Sequence, residues 1–326
     1  MFVATDIRAL ALDPRAPTRG SAVTLGNFDG VHLGHRALLR KTVALARERG
    51  LPAAAVTFDP HPLRLLKGKD APPQLLSLRR KLECFGQLGL DLALVLPFTR
   101  ETASLTPEEF VRIVLLDALH TRALVVGYDY AFGKDRRGNA ALLGELGRAH
   151  GFSVEEAPAL RTEGEPVSST RVRALLREGD VAGVARLLGR PFSVEGIVEH
   201  GKARGGSLLG FPTANLRPEE EVLLPKYGVY AVSVEINPGS GGRMLRGVAN
   251  VGVNPTFGDG FARVETHILN FCGDLYGLPL GVHFLQRLRD ERKFGSVDEL
   301  IARIRLDVRE VENMTAEALC PQGGGT

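Results

Sequence analysis

Two histidines three residues apart, His32 and His35, close the run Gly26-Asn27-Phe28-Asp29-Gly30-Val31-His32-Leu33-Gly34-His35. An apolar, β-prone stretch from Ser21 to Leu25 leads into this run, and a helical pattern from His35 to about Arg49 leaves it. A strand, a glycine-rich turn and a helix start aim backbone N–H groups and the positive end of a helix dipole at one spot, a setting for phosphate. The glycines let the backbone approach a ligand, and both imidazoles can reach the same oxygens. The plainer alternative is a tight αβ turn with incidental histidines.

Three further groups carry polar chemistry. Ser168-Ser169-Thr170-Arg171-Val172-Arg173 opens a helix. Its hydroxyls are either ordinary caps or, with Arg173, a phosphate clamp. The stretch Gly201 to Asn215 is a glycine-rich flap carrying Lys202 and Arg204, and Thr213 and Asn215 offer two neutral oxygens of the kind that hold Mg²⁺ beside a nucleotide. In Val264 to Phe271, strand alternation puts Glu265, His267 and Leu269 on one face and Thr266 and Ile268 on the other.

The elements that must position these groups change character along the chain. Ala53 to Phe58, Leu92 to Pro97 and Ala123 to Val126 read as buried strands, with helices at Leu78 to Leu88 and Pro107 to Leu119 between them; Phe152 to Glu156 is a further strand candidate. Thr106-Pro107-Glu108-Glu109 is a capped helix start. This alternation predicts a parallel sheet with helices on both faces and ligands at the carboxyl ends of its strands, where Asp59, His61 and Asp129 also fall. A short helix, Asp180 to Leu188, precedes the change. From Phe192 the period becomes strand-like over Phe192 to Glu199, Gly228 to Ile236, Arg243 to Val251, Val264 to Phe271 and Leu280 to Leu288, and a helix from Val297 to about Asn313 closes the pattern. That predicts a small antiparallel β-barrel. The expected domains are 1–188 and 189–315, with a disordered glycine-rich tail over 316–326.

Composition narrows the partners. At 326 residues the chain has room for two domains and two cores. No stretch approaches a membrane span, and Asp6, Arg8, Asp13 and Arg15 stand where a secretory leader would need an apolar block, so the expected location is cytoplasmic with no membrane partner. Cys84, Cys272 and Cys320 are too few and too scattered for a disulfide framework or a zinc site. A net charge of +3 with basic residues mixed among acids, and no aromatic stacking pattern in the barrel, argue against nucleic acid as a partner.

Together these residues resemble the bacterial bifunctional riboflavin kinase and FMN adenylyltransferase family, also called FAD synthetases. The resemblance runs in order over nearly the whole chain. It includes G-x-F-D-G-x-H-x-G-H at Gly26 to His35, G-x-D-x-x-F-G at Gly127 to Gly133 and S-S-T-x-x-R at Ser168 to Arg173. In the second half it takes in L-G-x-P-T-A-N at Leu209 to Asn215, G-V-A-N-x-G-x-x-P-T-F at Gly247 to Phe257, E-T-H-x-L and D-L-Y-G. It implies a Rossmann-like α/β nucleotidyltransferase domain followed by a riboflavin kinase barrel, with riboflavin, FMN and ATP as substrates, FAD as product and Mg²⁺ as cofactor.

By that resemblance Gly26, Phe28, Gly30, His32 and His35 cradle the ATP triphosphate, while Ser169, Thr170 and Arg173 hold the leaving pyrophosphate. Asp129 lies on the metal or the flavin side. In the barrel Gly201, Lys202, Gly210 and Pro212 form the ATP flap, Thr213 and Asn215 hold Mg²⁺, Arg289 contacts flavin, and Glu265 takes the proton of the riboflavin 5′-hydroxyl. Gly206, Asn254 and Asn270 depart from the family pattern. Two readings compete: a chain with one of the two activities, and a flavin carrier that binds without catalysis and has no need of Glu265 or the paired histidines.

Overall fold

A computed structural model describes residues 1–199, 211–218, 222–239, 244–253 and 262–314. The chain forms two compact units, one holding Met1–Pro72 and Ser77–Val167, the other Pro73–Leu76 and the chain from Ser168 onward.

The first unit is built on a six-stranded, wholly parallel sheet. Its strands are β1 (Phe2–Ala4), β2 (Ser21–Leu25), β3 (Ala53–Asp59), β4 (Leu92–Pro97), β5 (Thr121–Gly127) and β6 (Ser153–Ala157), in the spatial order β1-β4-β3-β2-β5-β6. All five residues of β2 are buried, as a central parallel strand requires. The chain steps from β2 to β3 and β4 on one side, then returns to β5 and β6 on the other. The order therefore reverses at β2, and in open α/β sheets ligands bind in the crevice at that reversal. The turn Gly26–His32 follows β2, and the turn carrying Asp129 follows β5 beside it.

The helices of this unit are α1 (Ile7–Leu12), α2 (Leu33–Glu48), α3 (Pro62–Lys67), α4 (Leu78–Gln87), α5 (Arg100–Ser104), α6 (Pro107–Phe110) and α7 (Ala140–His150). Two of them differ from the sequence expectation. The helix α2 begins at Leu33, two residues before the apolar periodicity starts, because the His32 side chain caps it. The helix expected over Pro107 to Leu119 opens with a full capping box between Thr106 and Glu109 but winds as a π-helix over Val111–Ala118. Neither β1, α1, α3 nor α7 is evident in the sequence periodicity. The first three are short, and α7 carries Gly144 and Gly147 inside it.

Beyond the small hairpin β7 (Arg161–Thr162) and β8 (Glu165–Pro166), the second unit starts with α8 (Ser169–Glu178) and α9 (Val181–Leu188). A closed antiparallel barrel follows: β9 (Phe192–Glu199), β10 (Ala214–Pro218), β11 (Gly228–Ile236), β12 (Met244–Val253), β13 (Ala262–Ile268) and β14 (Pro279–Arg289), in the order β10-β13-β12-β11-β14-β9. The sequence reading has five of these strands and lacks β10, of which it assigns only Ala214 and Asn215, to the end of the flap. In fact Ala214–Pro218 pairs with both β13 and β9 and closes the barrel. The strand β13 ends at Ile268, three residues short of the expected Phe271, where Asn270 turns the chain at φ 54°. Phe284 meets Tyr230 edge-on at 5.3 Å and Phe192 at 6.2 Å, and all three are fully buried. The last helix, α10 (Val297–Glu312), buries Val311 against Val229, Ala231 and Val248 of β11 and β12.

Candidate active sites

In the first unit the turn after β2 is held in a conformation that most side chains resist. Phe28 and Val31 take φ of 49° and 41°, and both are fully buried. A β-branched residue in the left-handed region costs on the order of 1–3 kcal/mol, a strain that persists where the surroundings over-determine the turn. Here they do. The Gly26 N–H donates to the Val56 carbonyl at 3.1 Å, Thr57 Oγ1 donates to the Asn27 carbonyl at 3.3 Å, and the Phe28 ring packs edge-on against Phe85 of α4. A Cβ on Gly26 would stand 3.0 Å from the Phe28 ring, and one on Gly34 would stand 3.2 Å from the His32 ring. Glycine at both positions lets the turn fold back on itself.

The two histidines are brought together. Their rings stack at 3.6 Å with 17° between planes, and Phe28 meets His35 edge-on at 5.4 Å. Nδ1 of His32 accepts the His35 backbone N–H at 3.3 Å, so in the neutral ring the proton is on Nε2. Nδ1 of His35 is sealed from solvent and makes no hydrogen bond among the described residues. Burial first, then His32 and Lys81, push the His35 pKa well below its ordinary value, which keeps this ring neutral at physiological pH.

That shift has a consequence for stability. The unfolded chain takes up a proton on His35 near pH 6.5, whereas the folded chain does not, so stability falls as pH drops below about 6.5 at up to about 1.4 kcal/mol per pH unit. Above that pH the contribution is complete. Urea melts at pH 7.0 and 5.5 should show this loss for the first unit, and His35→Gln should flatten it; an equal slope in the variant would contradict the assignment.

Asp129 is exposed in the turn that leaves β5. Ser169, Thr170 and Arg173 belong to the second unit, in the first turns of α8, whose N-cap is Ser168. Arg173 is buried, with Nε donating to the Pro73 carbonyl at 2.9 Å.

In the barrel, strand register assembles the second cluster. Asn215 of β10 stands directly opposite Glu265 of β13, and Asn250 of β12 stands opposite the same Glu265 on its other side. Residues opposed across an antiparallel pair share a face, so three polar side chains form a row over three strands. Thr213 lies two residues before Asn215 on that side. His267, two residues after Glu265, fixes the approach to β10: its Nδ1 donates to the Pro212 carbonyl at 2.9 Å, and its ring meets Phe211 edge-on at 5.3 Å. Asn250 also reaches forward, its Nδ2 donating to Glu291 at 3.0 Å.

Glu265 and Asn250 of this row line a cavity of about 350 Å³ with His267, Arg289 and Phe294, and a second cavity, of about 450 Å³, is lined by Pro212, Thr266, Leu275 and Tyr276. Thr213 lines both. Arg289 is locked in place. Its Nε and Nη2 donate to the carboxylate of Asp307, which is 1% exposed and also accepts from Arg303 Nε at 3.0 Å. Asn250, Glu291 and Asp307 are site neighbours that the sequence reading leaves out. The signal for Asn250 is its position in G-V-A-N, while Asp307 becomes visible only once α10 is packed on the barrel.

Asn215 is buried, and its Oδ1 has no hydrogen-bond partner among the described residues. An orphaned neutral oxygen suits a hard cation that takes its remaining ligands from phosphate and water. Gly201, Lys202, Gly210, Arg204, Gly206 and Asn254 lie outside the described residues, as does the tail 316–326.

A family model described as FAD synthetase matches residues 15–171, and one described as riboflavin kinase matches residues 188–315. Over 315 residues the chain is 39% identical to the bifunctional riboflavin kinase/FMN adenylyltransferase of Escherichia coli (strain K12), with 96% of this chain and 99% of that one covered. It is 42% identical over 303 residues to the protein of the same name from Pseudomonas fluorescens, with 93% and 95% covered. A solved structure from Streptococcus pneumoniae, described as a macrolide-efflux protein, aligns with a TM-score of 0.84 at 32% identity over 96% of this chain and 99% of its own. Among the described residues here, no helix is long and apolar enough to cross a membrane.

Proposed function

Since the chain belongs to the family of bifunctional riboflavin kinases and FMN adenylyltransferases, we propose that it makes FAD in two steps at two separate sites, with the residues of each assigned as follows. Riboflavin phosphorylation falls to 189–315 and adenylyl transfer to 1–188. The observation that carries the kinase assignment is the row of Asn215, Glu265 and Asn250, of which Glu265 and Asn250 line a cavity that shares Thr213 with a second one.

In the kinase step the 5′-hydroxyl oxygen of riboflavin bonds to the γ-phosphorus of ATP, the bond to the bridging oxygen breaks, and ADP leaves. Glu265 takes the hydroxyl proton. Riboflavin enters the cavity bounded by Glu265, Arg289 and Phe294; the nucleotide enters the one bounded by Pro212 and Tyr276. Thr213 borders both, as a residue beside the transferred phosphoryl group must. Gly201, Lys202 and Gly210 are assigned to the nucleotide on their sequence motif alone. Thr213 and Asn215 would hold Mg²⁺, which supplies charge neutralisation for the phosphates when bound. Asn215→Ala is expected to raise the Mg²⁺ concentration needed for half-maximal FMN formation about tenfold, a typical minimum for loss of a metal-site residue. An unchanged Mg²⁺ titration would remove Asn215 from the metal site.

In the second step an FMN phosphate oxygen attacks the α-phosphorus of a second ATP and pyrophosphate departs. A phosphate monoester is mostly ionised at neutral pH, so this nucleophile needs no base. What the site must offer is donors. The turn Gly26–His35 supplies backbone N–H groups at Phe28 and Gly30, the positive end of α2, and the ring N–H groups of His32 and His35, while Gly26, its own N–H held by the Val56 carbonyl, lets the backbone pass close to the phosphates. The roles of Ser169, Thr170 and Arg173 on pyrophosphate, and of Asp129 on metal or flavin, rest on their sequence motifs. A chromatographic time course with riboflavin, ATP and Mg²⁺ tests the whole scheme: FMN should rise and then convert to FAD. A chain that binds flavin and consumes no ATP would refute it.

A further inference from the structure

Lys81 has no part in this assignment, and its surroundings are unusual for a lysine. It sits on α4 at 6% exposure with Nζ 3.5 Å from Thr57 Oγ1. Lysine is almost never so deeply buried unless its charge is matched or used. The Thr57 hydroxyl accepts from the ammonium and donates to the Asn27 carbonyl. A directed line of donors thus runs from α4, past the end of β3, into the glycine-rich turn. One turn along α4, Phe85 packs on Phe28, which packs on His35. The same face of α4 therefore supports the turn at two points, one apolar and one charged.

We propose that Lys81 is a positioning residue of adenylyl transfer, its buried ammonium fixing the Asn27 carbonyl through Thr57 and lending positive potential to the triphosphate cradle. This rests on the reading of Gly26–His35 as that cradle. A charge close behind the turn acts through low-dielectric protein, where it is screened far less than a surface lysine. It also opposes protonation of His35. The titratable groups bearing on His35 are His32 of the same turn and Lys81 of α4.

The full-length chain tests this with Lys81→Met, Lys81→Arg and Thr57→Val. FMN adenylylation and riboflavin phosphorylation are measured in each preparation, so the second activity monitors integrity of the sample. Lys81→Met should lower the kcat of FAD formation about tenfold, less than the roughly hundredfold of a direct donor. It should move the acid limb of that rate toward the ordinary histidine pKa and leave riboflavin phosphorylation unchanged. Lys81→Arg, which keeps the charge, should recover most of the rate and the original acid limb. A wild-type FAD rate in Lys81→Met overturns the proposal, and so does an equal loss in Met and Arg variants with an unmoved acid limb. If Lys81→Met loses the thermal transition of the first unit, Thr57→Val decides: a several-fold loss of FAD formation supports the link, and a wild-type rate overturns it. Should His35→Ala prove silent as well, the cradle reading fails. A loss in His35→Ala alone refutes only the role of Lys81.

Discussion

Glu265→Ala is expected to cut FMN formation from riboflavin by about 10²–10⁴-fold, the usual contribution of a positioned general base. Adenylylation of FMN supplied directly should continue at the wild-type rate. The effect is confined because Glu265 lies in the barrel, opposite Asn215 and Asn250, while the paired histidines lie in the parallel-sheet unit. Glu265→Gln separates two roles. An amide keeps the size and can still hydrogen-bond the substrate hydroxyl, but it cannot take up the proton. If Glu265 is a base, Gln should be nearly as slow as Ala; if it only orients the hydroxyl, Gln should retain most of the rate. Both are read by chromatography of riboflavin, FMN and FAD. Loss of both activities in parallel would defeat the two-site scheme.

Much of the architecture is legible in the chain because its two halves bury surface in different ways. Strands such as Ala53–Asp59 and Leu92–Pro97 are buried on both faces, so they read as continuous apolar runs between helical periods. Gly228–Ile236, rich in valine, and Pro279–Arg289 belong to an antiparallel barrel and read as longer stretches between turns. The strand that escapes notice is Ala214–Pro218. It is five residues long, carries Arg217 and Pro218, and follows a glycine-rich segment, so no local pattern marks it. Only pairing with β9 and β13 on either side makes it a strand. The π-helical winding of Val111–Ala118 has no sequence signature of its own either.

Site residues follow the same division. His32 and His35 are visible because a glycine-rich turn between strand and helix is a local signal, although the capping role of His32 and the stack of the two rings are not. Glu265 is visible through strand alternation. Its neighbours are not, because the register that sets Asn250 and Asn215 beside it joins residues far apart in the chain. Lys81 and Asp307 are the extreme cases. Each is an ordinary-looking charge on an amphipathic helix, and only the docking of that helix reveals that the charge is buried.

His35→Ala is expected to stall the reaction at FMN, with FAD formation slowed on the order of a hundredfold, as for removal of one transition-state donor. Riboflavin phosphorylation should be unaffected, so FMN accumulates where the wild-type protein shows it only transiently. The protonation state of the ring sharpens the test. Burial, His32 and Lys81 hold the His35 pKa well below its ordinary value, so the group that acts is a neutral imidazole donating one N–H. If the ring acted as an imidazolium, the FAD rate would fall as pH rises through about 6.5, the ordinary histidine value. With a neutral donor the rate has no such descending limb, and activity declines only toward acid pH, where the FMN phosphate and then the ring take up protons. The wild-type profile between pH 6 and 8 therefore discriminates before any mutation is made. His35→Gln adds the complementary result: a side-chain N–H without a titrating ring should recover part of the rate. A Gln variant no better than Ala would require the imidazole itself, with its stack on His32, and not merely a hydrogen-bond donor at that place.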